Sequence, residues 1–130
     1  MMIRATILLT ASLLTASLLA APALAAPSPD AAKGKMLFLQ CTACHSVAKG
    51  AANKVGPNLN GLFGAKAGSR PGFAYSPALT KAGFVWDDKK LDAFIAKPQA
   101  VVPGNRMAFG GVANADSRRA IVAYLRDAAK

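Results

Sequence analysis

Cys41-Thr42-Ala43-Cys44-His45 decides how the rest of the chain is read. Two thiols three residues apart, with an imidazole directly after the second, form the C-x-x-C-H pattern of c-type haem attachment. The thiols can form thioether bonds to the two haem vinyl groups, and the imidazole then falls beneath the iron as an axial ligand. The inventory of the chain sharpens this reading. His45 is the only histidine, and Cys41 and Cys44 are the only cysteines. A structural zinc site would therefore lack at least one of its four ligands, and a second histidine on the iron is impossible. A thioredoxin-like dithiol is the bland alternative. It belongs at a strand-to-helix turn in a βαβ pattern, and no such pattern is present.

The first residues read as a leader. Arg4 supplies a short positive start, Ile7 to Leu19 an apolar stretch, and Ala23-Leu24-Ala25 a small-x-small cleavage site, the plan of a secretory signal peptide. Residues 1–25 are expected to be a signal peptide and residues 26–130 a single domain. An uncleaved membrane anchor is the rival, since Ile7 to Ala26 is almost long enough to span a bilayer. Pro22, Pro27 and the alanine-rich end favour cleavage. The leader carries much of the 53% hydrophobic content, so the mature domain is less apolar than the whole chain. Loss of Arg4 leaves fifteen basic against six acidic side chains, a mature charge of +9 before any cofactor carboxylates. Such a balance can mean nucleic acid, an anionic membrane or acidic protein partners, and an exported basic haem protein most simply docks on acidic faces of other redox proteins. Nucleic acid is excluded as a partner, because the chain is exported and has no basic run interleaved with aromatics.

The mature chain reads as all-α, about four helices with long loops. Ser28-Pro29-Asp30 opens the first helix with a cap, a proline at the first position and an acid beside the dipole. That helix is expected to run to about Gln40 and deliver Cys41. Ser76-Pro77 repeats the start signal for a short helix stopping near Gly83. Asp87 caps a third helix that Pro98 ends, and a last helix begins near Asn114. The loops from Gly50 to Pro71 and from Val101 to Gly111 are too long for so small a domain unless something organises them. A haem would do so, because loops can wrap a large flat apolar object.

The iron needs a second axial ligand. Beyond the leader only Met36 and Met107 are available. Met36 precedes Cys41 on the attachment side and is expected to pack. Met107 lies in a Pro-Gly turn loop, Val102 to Phe109, able to reach the opposite haem face, so Met107 is the expected ligand.

At this point the chain resembles class I cytochrome c, the group of mitochondrial cytochrome c and bacterial cytochrome c2, from Gly34 to Lys130. The resemblance rests on Cys41 to His45, Gly56 to Gly64, Pro71-Gly72-Phe73-Ala74-Tyr75, Trp86, Pro103 to Met107 and Ala123-Tyr124-Leu125. It implies the class I cytochrome c fold around one haem c, with His45 and Met107 as the iron's axial pair. It implies that the Pro57 carbonyl accepts from the other imidazole nitrogen, which fixes ring orientation. Tyr75 and Trp86 match donors to a buried haem propionate. Gly34 and Phe38 match first-helix residues that cross Ile121 and Tyr124 of the last helix. Several positions depart from the family. Phe94 replaces a tyrosine that donates to the methionine sulfur, Asn105 a threonine, Ala65 a propionate-facing arginine and Leu79 an asparagine. Arg70 is a candidate to compensate for Ala65. The family's ring of lysines is thinned to Lys35, Lys49, Lys54 and Arg106, with Gln40, Gln99, Ala100 and Ala113 in place of others.

The expected function is that of an exported, soluble, monomeric one-electron carrier of the bacterial periplasm, without catalytic residues. Cys41, Cys44, Pro57, Tyr75 and Trp86 would hold the haem, and His45 and Met107 the iron. The implied partners are redox proteins with acidic docking faces: an oxidase, a bc1-type complex, a reaction centre or a periplasmic dehydrogenase, met in transient contact with membrane complexes. A haem peroxidase or a gas-binding module with a displaceable sixth ligand is the alternative. The first would need a distal base that the single histidine cannot provide. The pairs Lys89-Lys90 and Arg118-Arg119 read as solvated helix faces.

Overall fold

The computed structural model describes residues 28–130; the expected signal peptide and its cleavage site lie outside the described residues. Five α-helices follow one another: α1 (Pro29–Phe38), α2 (Pro77–Thr80), α3 (Asp88–Ala96), α4 (Pro98–Val101) and α5 (Ala115–Ala128). A 3₁₀ turn, Leu39–Cys41, continues α1. The only sheet-like pairing among the described residues is an isolated antiparallel bridge between Lys66 and Val85.

Each of the four expected helix starts is capped by the side chain the sequence offers. Ser28 accepts from the Ala31 amide, Ser76 from Leu79, Asp87 from Lys90 and Asn114 from Ser117. Each bond satisfies one of the donors a helix leaves open at its start. The fifth helix is the addition. Pro98 ends α3, and it also opens α4, because its fixed φ and missing N–H suit a first helical position. The loop expected from Val101 therefore begins at Val102, directly after this added turn of helix. The first helix also tightens to 3₁₀ after Phe38 rather than running regularly to Gln40.

The two ends of the domain pack on each other, and α1 against α5 is the most extensive helix contact. A Cβ on Gly34 would stand 1.8 Å from the Ala120 carbonyl oxygen, so only glycine lets the backbones cross this closely. Beside it the Phe38 and Tyr124 rings lie 5.3 Å apart. Phe38, Trp86, Leu91, Phe94, Ile121 and Leu125 form the buried core. Trp86 is at its centre, meeting Phe84 and Phe94 edge-on at 4.8 and 5.1 Å. Leu91 and Phe94 come from α3, and Ile121 and Leu125 from α5.

Two expectations are corrected here. Met36 does not pack, being 67% exposed on α1. Arg118 is not part of a solvated face. Its side chain is only 15% exposed, paired with Asp92 at 2.9 Å, and it donates to the carbonyls of Val112 and Ala113. It thus ties the start of α5 to α3 and to the segment that follows Met107. Arg118→Met should lower stability by about 2 kcal/mol, since it strips a charge-assisted partner from Asp92 and two backbone acceptors. In a domain of this size that is a fall of roughly 8–16 °C in melting temperature. Arg119→Met, exposed beside Asp116 and Asp30, should change the melting temperature by a small fraction of that.

Candidate haem site

A single continuous turn presents the attachment residues. The amides of Cys44 and His45 both donate to the Cys41 carbonyl, at 3.1 and 2.8 Å, so the two thiols and the imidazole leave the backbone within one coil. All three line an elongated cavity of two joined lobes, about 430 and 290 Å³. Cys41, His45, Pro57, Tyr75, Leu79, Ile95, Met107 and Ile121 border both lobes.

Behind the turn, residues 54–59 are bonded to residues 42–46. The Gly56 amide donates to the Cys44 carbonyl, Leu59 to Ser46, and the Lys54 ammonium to Thr42. This brings the Pro57 carbonyl to 2.8 Å from His45 Nδ1. A carbonyl can only accept, so Nδ1 carries the proton and Nε2 is left with its lone pair. Burial holds the imidazole below its ordinary pKa range; the Pro57 carbonyl works against that, and the Lys54 charge adds to it. At neutral pH the ring is thus the neutral form that a metal takes. Burial, then the neighbouring Cys44, pushes the Cys41 thiol up.

Gly56 is a residue that sequence reasoning passed over. A Cβ there would lie 2.4 Å from His45 Cε1 and 2.8 Å from Nδ1, so the imidazole is seated close against a bare backbone. Nothing local in the Gly56-Pro57 pair marks this, because the clash is with a residue eleven positions earlier.

Met107 reaches the cavity from the loop after α4, and that loop is heavily braced. Gln99 donates to the Asn105 carbonyl and accepts from the Gly104 amide. Buried Asn105 donates to Val102 and accepts from the Met107 amide. Arg106 donates to the Ala74 carbonyl at 3.0 Å, bridging the Met107 loop to the stretch before Tyr75. Beyond Met107, the amide of Val112 bonds the Ile95 carbonyl. Gly111 sits at φ +108° so close to Ala96 that a Cβ would be 2.1 Å from its carbonyl oxygen. Gln99, which stands where the family carries a lysine, is therefore part of the loop's scaffold. Met36 is exposed and outside the cavity.

Tyr75 borders both lobes and Trp86 the smaller one. Burial raises the Tyr75 hydroxyl above its ordinary pKa, against the charge and the peptide group of Arg70. Trp86 is 8% exposed, and no described residue accepts from its indole N–H. The structure thus brings all seven sequence-predicted site residues to one cavity. The donor set fits haem c: two thiols on one turn, a neutral imidazole nitrogen, a thioether from a separate loop, apolar walls, and hydroxyl and indole donors suited to carboxylates.

The relatives agree with this chemistry. The family model for Cytochrome c matches residues 31–129. A cytochrome c2 of Rhodomicrobium vannielii is 46% identical over 96 residues, covering 74% of this chain and 77% of that protein. A cytochrome c2 of Afifella marina is 48% identical over 98 residues, covering 73% and 79%. Among solved structures, cytochrome cH from Methylobacterium extorquens superposes with a TM-score of 0.70 at 44% identity, covering 75% of this chain and 97% of that one. With the C-x-x-C-H turn, the shared cavity and a match along almost the whole described domain, the chain belongs to the cytochrome c family, as a class I electron carrier with a covalently bound c-type haem.

Proposed function

We propose that this is an exported one-electron carrier whose residues 1–25 are removed and whose domain, residues 26–130, works as a monomer in the bacterial periplasm. The observation that carries the reading is that His45 and Met107, from opposite ends of the domain, border the same cavity as Cys41 and Cys44. When bound, the haem supplies a reversible change between Fe(II) and Fe(III). Cys41 and Cys44 would hold it by thioethers, and His45 Nε2 and the Met107 sulfur would bind its iron. Pro57 fixes the imidazole plane, while Gln99, Asn105 and Arg106 keep the methionine loop from moving between oxidation states. A thioether ligand favours the ferrous state and raises the potential, and burial penalises the additional ferric charge. Phe94, packed against Trp86, has no hydroxyl to offer the sulfur.

Support for export comes from the leader's composition and from the bacterial cytochromes c2 among the relatives. No helix among the described residues is long and apolar enough to cross a membrane. Visible spectra of the ferrous protein with and without carbon monoxide test the carrier reading. An unchanged low-spin spectrum supports it, and a shifted one would favour a gas-binding module or a peroxidase.

The partners are redox proteins with acidic docking faces, an oxidase, bc1-type complex, reaction centre or periplasmic dehydrogenase. Lys35, Lys49, Lys54 and Arg106 are all exposed, and Arg106 borders the larger lobe, as does Val55 beside Lys54, which supports docking through a basic surface at that lobe. Association with such a partner should slow as salt rises, because steering reaches only about 8 Å at physiological ionic strength. In stopped-flow reduction at low salt, Lys35→Glu and Lys54→Glu should each slow association severalfold, and Lys89→Glu should change it little. Equal slowing at all three would mean that net charge alone governs docking.

A further inference from the structure

The Pro57 carbonyl that accepts from His45 belongs to a peptide group whose other end is also held. In a planar trans peptide the C=O of one residue and the N–H of the next share a plane and point opposite ways. The direction of this carbonyl is therefore set by the Asn58 amide as much as by the imidazole. That amide donates to Asn53 Oδ1 at 2.8 Å, while the carbonyl lies 2.8 Å from His45 Nδ1. Asn53 is itself anchored, with Nδ2 donating to the Gly72 carbonyl at 3.2 Å. These two contacts fix which way its side chain points, because only the amide oxygen accepts and only the nitrogen donates.

The bonds run in one direction. The imidazole N–H donates to Pro57, the same peptide donates to Asn53, and Asn53 donates to Gly72. Hydrogen bonds in series polarise one another. An amide that donates becomes a better acceptor at its oxygen, so Asn53 strengthens the hold of the Pro57 oxygen on the Nδ1 proton. The peptide is also kept from turning. Asn58, 3% exposed, donates from its side chain to the Ala48 and Ala51 carbonyls and accepts from the Asn60 amide.

We propose that Asn53 is a positioning residue for the iron ligand: through the peptide of Pro57 and Asn58 it aligns and polarises the carbonyl that holds the His45 proton, and so sets the reduction potential. The inference rests on the haem reading above. A more strongly held Nδ1 proton makes Nε2 a more basic ligand, and a more basic ligand favours Fe(III).

The test is potentiometry on the holoprotein, with the His45 ring N–H followed by NMR in the diamagnetic ferrous state. The chain has one histidine, so that signal has a single source. Asn53→Leu removes the acceptor and should shift the ferric-to-ferrous ratio at fixed poise about threefold toward ferrous, roughly 28 mV at 59 mV per tenfold change. The ring N–H proton should move upfield. Asn53→Asp keeps the acceptor and makes it anionic, which strengthens the bond from the Asn58 amide. The ratio should then move about threefold the other way, toward ferric, and the ring proton downfield. Ala52→Asp, on an exposed neighbour, brings the same charge without the contact, and should shift the ratio far less and leave the ring proton in place. If Asn53→Leu does not accumulate as haem protein, Asn53→Ala replaces it with the same expected outcome. Mere loosening of the loop would move both Asn53 variants in one direction. Shifts of the same sign in the two, an unmoved ring proton, or an equal response to Ala52→Asp overturns the proposal. Failure of the haem reading itself would show differently, as a wild-type protein lacking a low-spin haem spectrum.

Discussion

Met107→Ala is expected to turn the ferric protein from low-spin to high-spin and to lower its reduction potential by a few tenths of a volt. Changes of axial ligand move haem potentials within a span of about 0.8 V, and a thioether is the ligand that favours Fe(II). The substituted methyl group cannot bond iron. Apart from the two attachment cysteines no other soft donor borders the cavity among the described residues; the one histidine is engaged on the Pro57 side and Met36 is exposed outside it. The freed position should bring peroxidase activity that the parent lacks. Met36→Ala, measured alongside, should leave spectrum and potential unchanged. Were Met36→Ala the substitution that altered the spin state, the assignment of Met107 would be wrong.

Gly56→Ala is the second large effect. The added Cβ would stand 2.4 Å from His45 Cε1, well inside contact distance, and both neighbours are fixed. The Gly56 amide is bonded to Cys44, and the imidazole to Pro57. Relief requires the ring to tilt or the 54–59 segment to move. Overpacking of this kind costs about 1–3 kcal/mol, or more where neither side can give, and here it also misdirects Nε2. The expected outcome is a several-fold lower yield of haem-bearing protein and a weakened or lost low-spin spectrum. Gly110→Ala is the matched control, because a Cβ there meets nothing within 4 Å. Equal yields for the two would show that the imidazole does not depend on Gly56.

The sequence made some features legible and concealed others, for physical reasons. Ser28, Ser76, Asp87 and Asn114 could be read as helix starts because a cap is a bond to a residue three positions on. The C-x-x-C-H turn was equally local. The helix at Pro98 was missed because proline is both a stop and a first residue, and only the following turn shows which applies. Arg118 looked like half of a solvated pair. Its partners, Asp92 and the Val112 and Ala113 carbonyls, are chosen by how α3 and α5 meet. Gly56 was hidden for the same reason: a Cβ clash with His45 is a fact about a distant part of the chain. At the site, the residue types that make the chemistry were therefore readable, and the residues that aim them, Pro57 apart, were not.

The crossing of α1 and α5 also sets an order of events in the life of the chain. The surface of α1 that holds Gly34 and Phe38 has its partner in the last helix, which a ribosome finishes last. At about 5–20 residues per second, the stretch from Leu39 to Asn114 takes on the order of several seconds to synthesise. Throughout that interval the two thiols directly after α1 stand on an open strand with no lid above them. Closure of the domain thus waits for α5, and until then the attachment motif lacks the packing that the crossing of the two helices gives it.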